Sequence, residues 1–247
     1  MGIILIYIKY IDYPYIKFNF DGVIDKLYNE DGTKTTLTST DAIEAFTEWT
    51  DLYTKYGIVK QADFYNRFRV GTMPLGIASY TQYTQLTQAA PEIQGRWSIA
   101  PIPGTLQADG TLNRSIAGSG SGCSVVAPSE NKDQAWQFLC WWTAAETQLR
   151  YNNNVESILG AVARTATANI EAFGAYSWNS DDLEILNSQW AEVQELPEVP
   201  GGYYVSRAVD QAYWEVLNGD SNSKDAMLEW GKVADDEIIR KIKEYRK

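Results

Sequence analysis

The chain contains no histidine. That removes the Ser-His-Asp and Cys-His arrangements of nucleophilic catalysis and the usual zinc sites. The residues point to neither a metal nor a cofactor. What remains is carboxylate chemistry, and two carboxylates alone can hydrolyse a glycosidic bond. Glu156, Glu195 and Glu198 are candidate acids, but no motif fixes any two of them as a pair. Cys123 and Cys140 lack metal-ligand spacing; one lies in an apolar strand-like run, the other in a helical pattern. They read as two buried free thiols rather than a disulfide.

Binding chemistry is better represented than catalysis. Gly71–Leu86, GTMPLGIASYTQYTQL, opens with an apolar strand-like piece and breaks into Ser79-Tyr80-Thr81-Gln82-Tyr83. A strand whose end carries neutral hydrogen-bonding groups and two phenols suits the mouth of a cleft in an α/β fold. Tyrosine offers an apolar ring face and a hydroxyl together, the pair that a neutral sugar needs. The competing reading is a strand followed by an amphipathic helix with Tyr80 and Tyr83 in the core. Ser115–Ala127, SIAGSGSGCSVVA, has the wrong spacing for a dinucleotide fingerprint or a P-loop. Its Gly118, Gly120 and Gly122 mark a backbone that approaches something closely, a ligand or another strand. Arg207 falls at the start of a helix reached through LPEVPGG. There a guanidinium fork reaches vicinal hydroxyls, or else pairs at the surface with Asp210 or Glu215.

A net charge of −11 over 247 residues argues against nucleic acid and anionic membranes as partners. The length allows one large or two small domains, and 9 Trp and 16 Tyr make the chain rich in aromatics. Met1–Ile8 is apolar but too short to span a bilayer, and it lacks a basic start and a cleavage site. It reads as a strand, so the protein is either cytoplasmic or lacks its true beginning.

Several elements can position these groups. Residues 1–20 read as one or two strands. Ser39, Thr40 and Asp41 offer cap oxygens to a helix whose Ala42, Phe46, Trp49, Tyr53 and Tyr56 share a face and which Gly57 stops. Phe64–Val70 reads as a short helix, Trp97–Ala100 as a strand, and Asp109-Gly110 as a turn. A strand follows the glycine-serine stretch, and Ser129 caps a helix with Ala135, Phe138, Leu139 and Trp142 inward. Trp136 and Trp141 lie off that face. Ala144–Tyr151 is a second helix, and Asn152–Thr167 a polar loop. Asp181–Glu195 is helical, with Leu183, Leu186 and Trp190 on one side. Val205, Val209, Ala212 and Val216 give a helix from Tyr203 its buried face. The last helix runs from about Ser223 to Tyr245, with Met227, Trp230, Ala234 and Ile238 inward.

From about Gly22 onward the chain resembles the C-terminal part of family 1 extracellular solute-binding proteins, the maltose-binding-like components of carbohydrate ABC transporters. The segments that carry the resemblance stand in order: YNEDGTKTTLTSTDAIEAFTEWTDLYTKYGI, GTMPLGIASYTQYTQL, APEIQGRWSIAPIPG, RSIAGSGSGCSVVAPSENKDQAWQFLCWWTAAETQLRY and PEVPGGYYVSRAVDQAYWEVLN, then a charged closing helix.

The resemblance implies an α/β, periplasmic-binding-protein-like type II fold, here mostly the helix-rich C-terminal lobe with a small mixed sheet. Residues 1–21 do not match it, 22–247 do, and 114–144 would normally pack with an N-terminal lobe. It also implies an extracellular or membrane-anchored protein that binds a neutral sugar without chemistry and serves ABC permease subunits. Ser79 and Tyr80 match a strand end that often carries a stacking aromatic; Gly118 and Ser119 match a glycine-rich contact segment, and Ser206 and Arg207 a second contact point. Tyr83, Tyr203, Tyr204 and Glu156 are further candidates. Ser79 and Ser206 stand where maltose binders have tryptophan, so maltodextrin itself is not implied. With no N-terminal lobe in the sequence, the expectations are a truncated product, weak sugar affinity and a possible homodimer through exposed surface. An interaction protein and a carboxylate glycosidase are the alternative classes.

Overall fold

The computed structural model describes residues 27–60, 62–77, 80–107, 109–117, 122–194 and 198–246, with backbone alone at Tyr80 and Thr81. The strands expected within residues 1–20 lie outside these. The chain divides into two compact units. Of the described residues, one unit is built from those within 63–102 and 122–190, the other from those within 27–62, 103–117 and 191–246.

In the second unit, three helices enclose the core. Helix α1 is Thr40–Thr54; the Ser39 side chain accepts from the Ala42 N–H at 3.2 Å, as its cap chemistry predicts. Ala42, Phe46, Trp49 and Tyr53 are buried, as their period requires. Tyr56 is not: the helix ends two residues earlier, and the ring is 76% exposed. Near the chain's other end, Tyr203–Asn218 and Ser223–Tyr245 form a helix pair joined through Gly219 in the left-handed conformation. The first begins where expected, and the second matches both of its expected bounds. Val205, Val209, Ala212 and Val216 on the first, and Met227, Ala234 and Ile238 on the second, are buried; Trp230 is half-buried. Trp49 stacks on Tyr213 at 4.1 Å between centroids, locking α1 to the helix pair. Asp235 Oδ1 accepts from the Thr35 N–H at 2.7 Å and its hydroxyl at 3.0 Å.

Strands are scarce among the described residues. β1 (Thr105–Leu106) and β2 (Leu112–Asn113) form an antiparallel hairpin around the expected Asp109-Gly110 turn. β3 (Ile116–Ala117) pairs in parallel with β4 (Val193–Gln194). The expected strands at 71–77, 97–100 and 123–127 do not form; their only strand-like positions are single bridge residues, Gly76 and Ser98. Apolar runs that short become strands only when a partner strand satisfies their backbone groups.

The first unit is helical. Its described core gathers Phe68, Tyr83, Leu86, Ala90 and Ile99. These come from α2 (Phe64–Arg69), α3 (Tyr80–Ala89) and the segment after it. Beyond residue 121 follow α4 (Lys132–Thr143), α5 (Ala145–Leu159), α6 (Ile170–Gly174) and α7 (Ser180–Ala191). The two closing helices of the second unit are accordingly α8 and α9.

The structure corrects three expectations. α5 runs to Leu159, through the stretch read as a loop. Asn152 is buried within it: its amide donates to Glu156 at 2.8 Å and its carbonyl accepts from the Thr165 N–H at 2.9 Å. The bond within the helix to Glu156 and the tertiary bond to Thr165 override the poor helix propensity of three consecutive asparagines. α4 begins after Asn131 without a side-chain cap bond, so Ser129 is not its cap, and Phe138 points outward. Both cysteines are free, as expected, but exposed rather than buried.

Candidate functional site

The first turn of α8 is fixed from beneath by glycine. Gly201 has φ +85°, and a Cβ there would lie 3.0 Å from the Ile238 Cα on α9. An L side chain would be both strained and crowded. Gly201→Ala should therefore lower stability by about 2 kcal/mol, read from urea unfolding; an unchanged midpoint would count against this packing.

From that base, Val205, Ala208 and Val209 anchor the helix in the core while the intervening residues look outward. Tyr204 is half-buried and Arg207 exposed, one turn apart. The guanidinium lies over the Tyr204 ring at 5.3 Å from its centroid. The Ser206 hydroxyl donates to the Tyr203 carbonyl at 3.1 Å, which leaves its oxygen lone pairs open to a ligand donor. The Tyr203 hydroxyl is engaged with Glu237 at 3.0 Å. Arg240, then the Tyr203 hydroxyl, outweigh desolvation and hold the Glu237 carboxyl down at about 2. The first turn holds no acidic residue. The result is a small outward platform of ring, hydroxyl and donor fork on a helix end of positive potential.

In the other unit, Tyr83 and Glu156 are both engaged within the protein. Tyr83 is buried and donates to Asp182 Oδ2 at 2.7 Å, its ring against Trp97 and Trp178. Burial first, and the Asp182 carboxylate second, push its phenol far above the usual range, so it stays a neutral donor. Glu156 accepts from Arg164 Nε at 2.7 Å and from Asn152 at 2.8 Å. Arg164 also donates to the Ser177 carbonyl at 3.0 Å and lies 4.5 Å over the Trp178 ring. Desolvation alone would raise the Glu156 carboxyl. The hydrogen bonds from Arg164 and Asn152 and the Arg164 charge outweigh it, and the group lies below its ordinary value. A glycosidase acid needs the opposite shift. Among the other candidate acids, Glu198 is exposed and Glu195 lies outside the described residues.

Ser79, Gly118 and Ser119 also lie outside the described residues, and Tyr80 shows only that its backbone opens α3. Tyr204, Ser206 and Arg207 come together within one helical turn. Arg164, which holds Glu156, and Trp178, whose ring lies against the Arg164 guanidinium, were not singled out for those roles by the sequence. The signal was there as two opposite charges eight residues apart, Glu156 and Arg164, but nothing local shows that the helix end between them brings them into contact. No group of three or more potential metal ligands occurs among the described residues, and no described helix is long and apolar enough to cross a membrane.

The fold these units share with known structures is periplasmic-binding-protein-like, helix-rich with little sheet. An ABC transporter solute-binding protein from Thermotoga lettingae, bound with α-D-tagatose, matches 91% of this chain with TM-score 0.62 and 16% identity. An ABC substrate-binding protein from Listeria monocytogenes, in complex with cycloalternan, matches 95% with TM-score 0.60 and 18% identity. The maltose-maltodextrin binding protein of Alicyclobacillus acidocaldarius matches 94% with TM-score 0.58 and 14% identity. The matched parts make up 56%, 58% and 61% of those three chains, so this chain spans less than two thirds of their length. No protein-family model matches the sequence, and a search of the curated proteins finds no match either.

Proposed function

We propose that the chain is a carbohydrate-binding portion of a solute-binding protein of the maltose-binding-like group. In this reading residues 22–247 are the C-terminal portion of such a protein, working outside the membrane with an ABC permease. It holds a neutral sugar or oligosaccharide and does no chemistry on it. One observation carries the reading: the fold is shared, over more than nine-tenths of this chain, with solute-binding structures bound with α-D-tagatose and cycloalternan. The open platform of Tyr204, Ser206 and Arg207 adds to it, because ring, hydroxyl and guanidinium are the groups that hold polyhydroxylated ligands. The downward shift of Glu156 weighs against a carboxylate hydrolase.

Titration calorimetry against neutral mono- and oligosaccharides tests the proposal. A dissociation constant on the order of 1 mM is expected, since a platform on one helical turn surrounds little of a ligand. Arg207→Ala should weaken the best ligand about ten-fold by removing its donors. No heat from any sugar up to about 10 mM would sink the reading. So would release of nitrophenol from aryl glycosides that disappears in Glu156→Gln.

A further inference from the structure

The end of α2 and the segment after α3 flank an open cavity of about 250 Å³, lying wholly within the first unit. Its walls are apolar. Phe68 is buried, Ile93 and Trp97 are half-buried, and the Trp97 ring meets Phe68 edge-on at 6.4 Å. Val70 lines the mouth and is 73% exposed. The two sides are tied together. The Tyr65 hydroxyl donates to the Ala89 carbonyl at 2.6 Å, and Arg69 pairs with Glu92 while lying 5.1 Å over the Tyr65 ring. The hollow is therefore formed before any ligand arrives.

Every polar side-chain group that lines this cavity is a donor: the guanidiniums of Arg69 and Arg96 and the Trp97 indole N–H. No acidic, hydroxyl or amide side chain lines it, in a chain with 32 acidic residues against 21 basic ones. Arg69 is committed to Glu92. The Arg96 side chain is exposed and makes no hydrogen bond or ion pair among the described residues.

We propose that this cavity binds a small aryl carboxylate, its ring against Phe68, Ile93 and Trp97 and its carboxylate on Arg96. Charge complementarity selects the occupant. A sugar hydroxyl needs an acceptor for its proton, and no lining side chain supplies one. A carboxylate is all acceptor and matches the guanidinium fork. Inorganic phosphate would leave the apolar walls in water. The volume takes one ring and its carboxylate rather than a drug-sized molecule. The site uses none of the residues of the α8 platform, so it stands apart from the carbohydrate reading.

Ligand-observed NMR titration of the full chain with sodium benzoate tests this. A dissociation constant on the order of 1 mM is expected for so open a site. Benzyl alcohol, which keeps the ring and loses the charge, should bind at least about ten-fold more weakly. Arg96→Ala should weaken benzoate by a similar factor with an unchanged melting temperature, since the side chain is exposed. Val70→Asp keeps both arginines, sets a carboxylate at the mouth, and should act in the same direction. Raising salt from about 20 to about 200 mM should weaken benzoate a few-fold, because it screens an exposed ion pair. No binding of benzoate up to about 10 mM would overturn the proposal. So would benzyl alcohol binding as tightly as benzoate, or an affinity that Arg96→Ala and Val70→Asp leave at its original strength.

Discussion

Replacing Trp49 with alanine should cost about 4 kcal/mol of folding stability. The ring is 3% exposed. It stacks on Tyr213 at 4.1 Å with planes only 16° apart, and it meets Phe46 and Tyr53 edge-on at 5.7 and 6.4 Å. Three of these rings belong to α1 and one to α8, so the stack joins the first helix of the unit to the helix carrying Tyr204, Ser206 and Arg207. Truncation removes the burial of a large ring and leaves a void that rigid neighbours cannot close. It also strips the stacked face from Tyr213, worth about 1 kcal/mol more than area alone. Trp49→Phe should retain about half of the lost stability, because a smaller ring still fills part of the space. Urea unfolding followed by circular dichroism measures both variants. A loss below about 1 kcal/mol for alanine would mean that the stack does not form in solution. The same variant should lose sugar affinity, as α8 loses its lateral support.

Arg164→Ala should cost about 3 kcal/mol, through a different mechanism. The Arg164 side chain is 6% exposed and that of Glu156 16%. Together they form an ion pair further fixed by Asn152, Ser177 and the Trp178 ring. Removing the cation leaves a carboxylate out of water with only an amide to support it. Replacing both partners at once, Arg164→Met with Glu156→Gln, should recover most of the loss, because no charge is then left stranded. The pair also sets a pH dependence. The Glu156 carboxyl is lowered in the folded protein, so its stabilising contribution is complete above the unfolded value of about 4.3 and fades as pH falls through the folded value. In Arg164→Ala the opposing desolvation is no longer outweighed, and protonation relieves the penalty. The gap in stability between variant and wild type should therefore narrow from pH 7 to about pH 4. A gap that widened on acidification would refute the pairing.

Parts of this architecture could be read from the residues, and the reasons differ by element. α1, α8 and α9 were legible because each sustains a 3.6-residue apolar period, and two of them follow a chemical start: Ser39 before α1 and the Pro-Gly-Gly turn before α8. The strands were not, because GTMPL and WSIA carry β-like composition without the partners that make a ladder. The continuation of α5 past Asn152 was hidden for a related reason. Its stabilising bonds go to Thr165, which only the folded chain brings near. α4 misled at one position: its large apolar residues stand on more than one side, so the pattern did not separate exposed Phe138 from half-buried Ala135, Leu139 and Trp142. At the candidate site, Arg207 was legible from its place at a helix start, whereas Tyr204 and Ser206 came only from the resemblance. The commitment of Glu156 to Arg164 and of Tyr83 to Asp182 depends on tertiary contacts across 8 and 99 residues, which spacing does not encode.

Cys123 and Cys140 both stand at the surface. A thiol in the open reacts with maleimides under native conditions, so fluorophores can be attached at either position without unfolding the chain. The same accessibility makes the protein sensitive to air. Stored without a reductant, it should accumulate covalently linked species that a gel run with and without thiol would reveal.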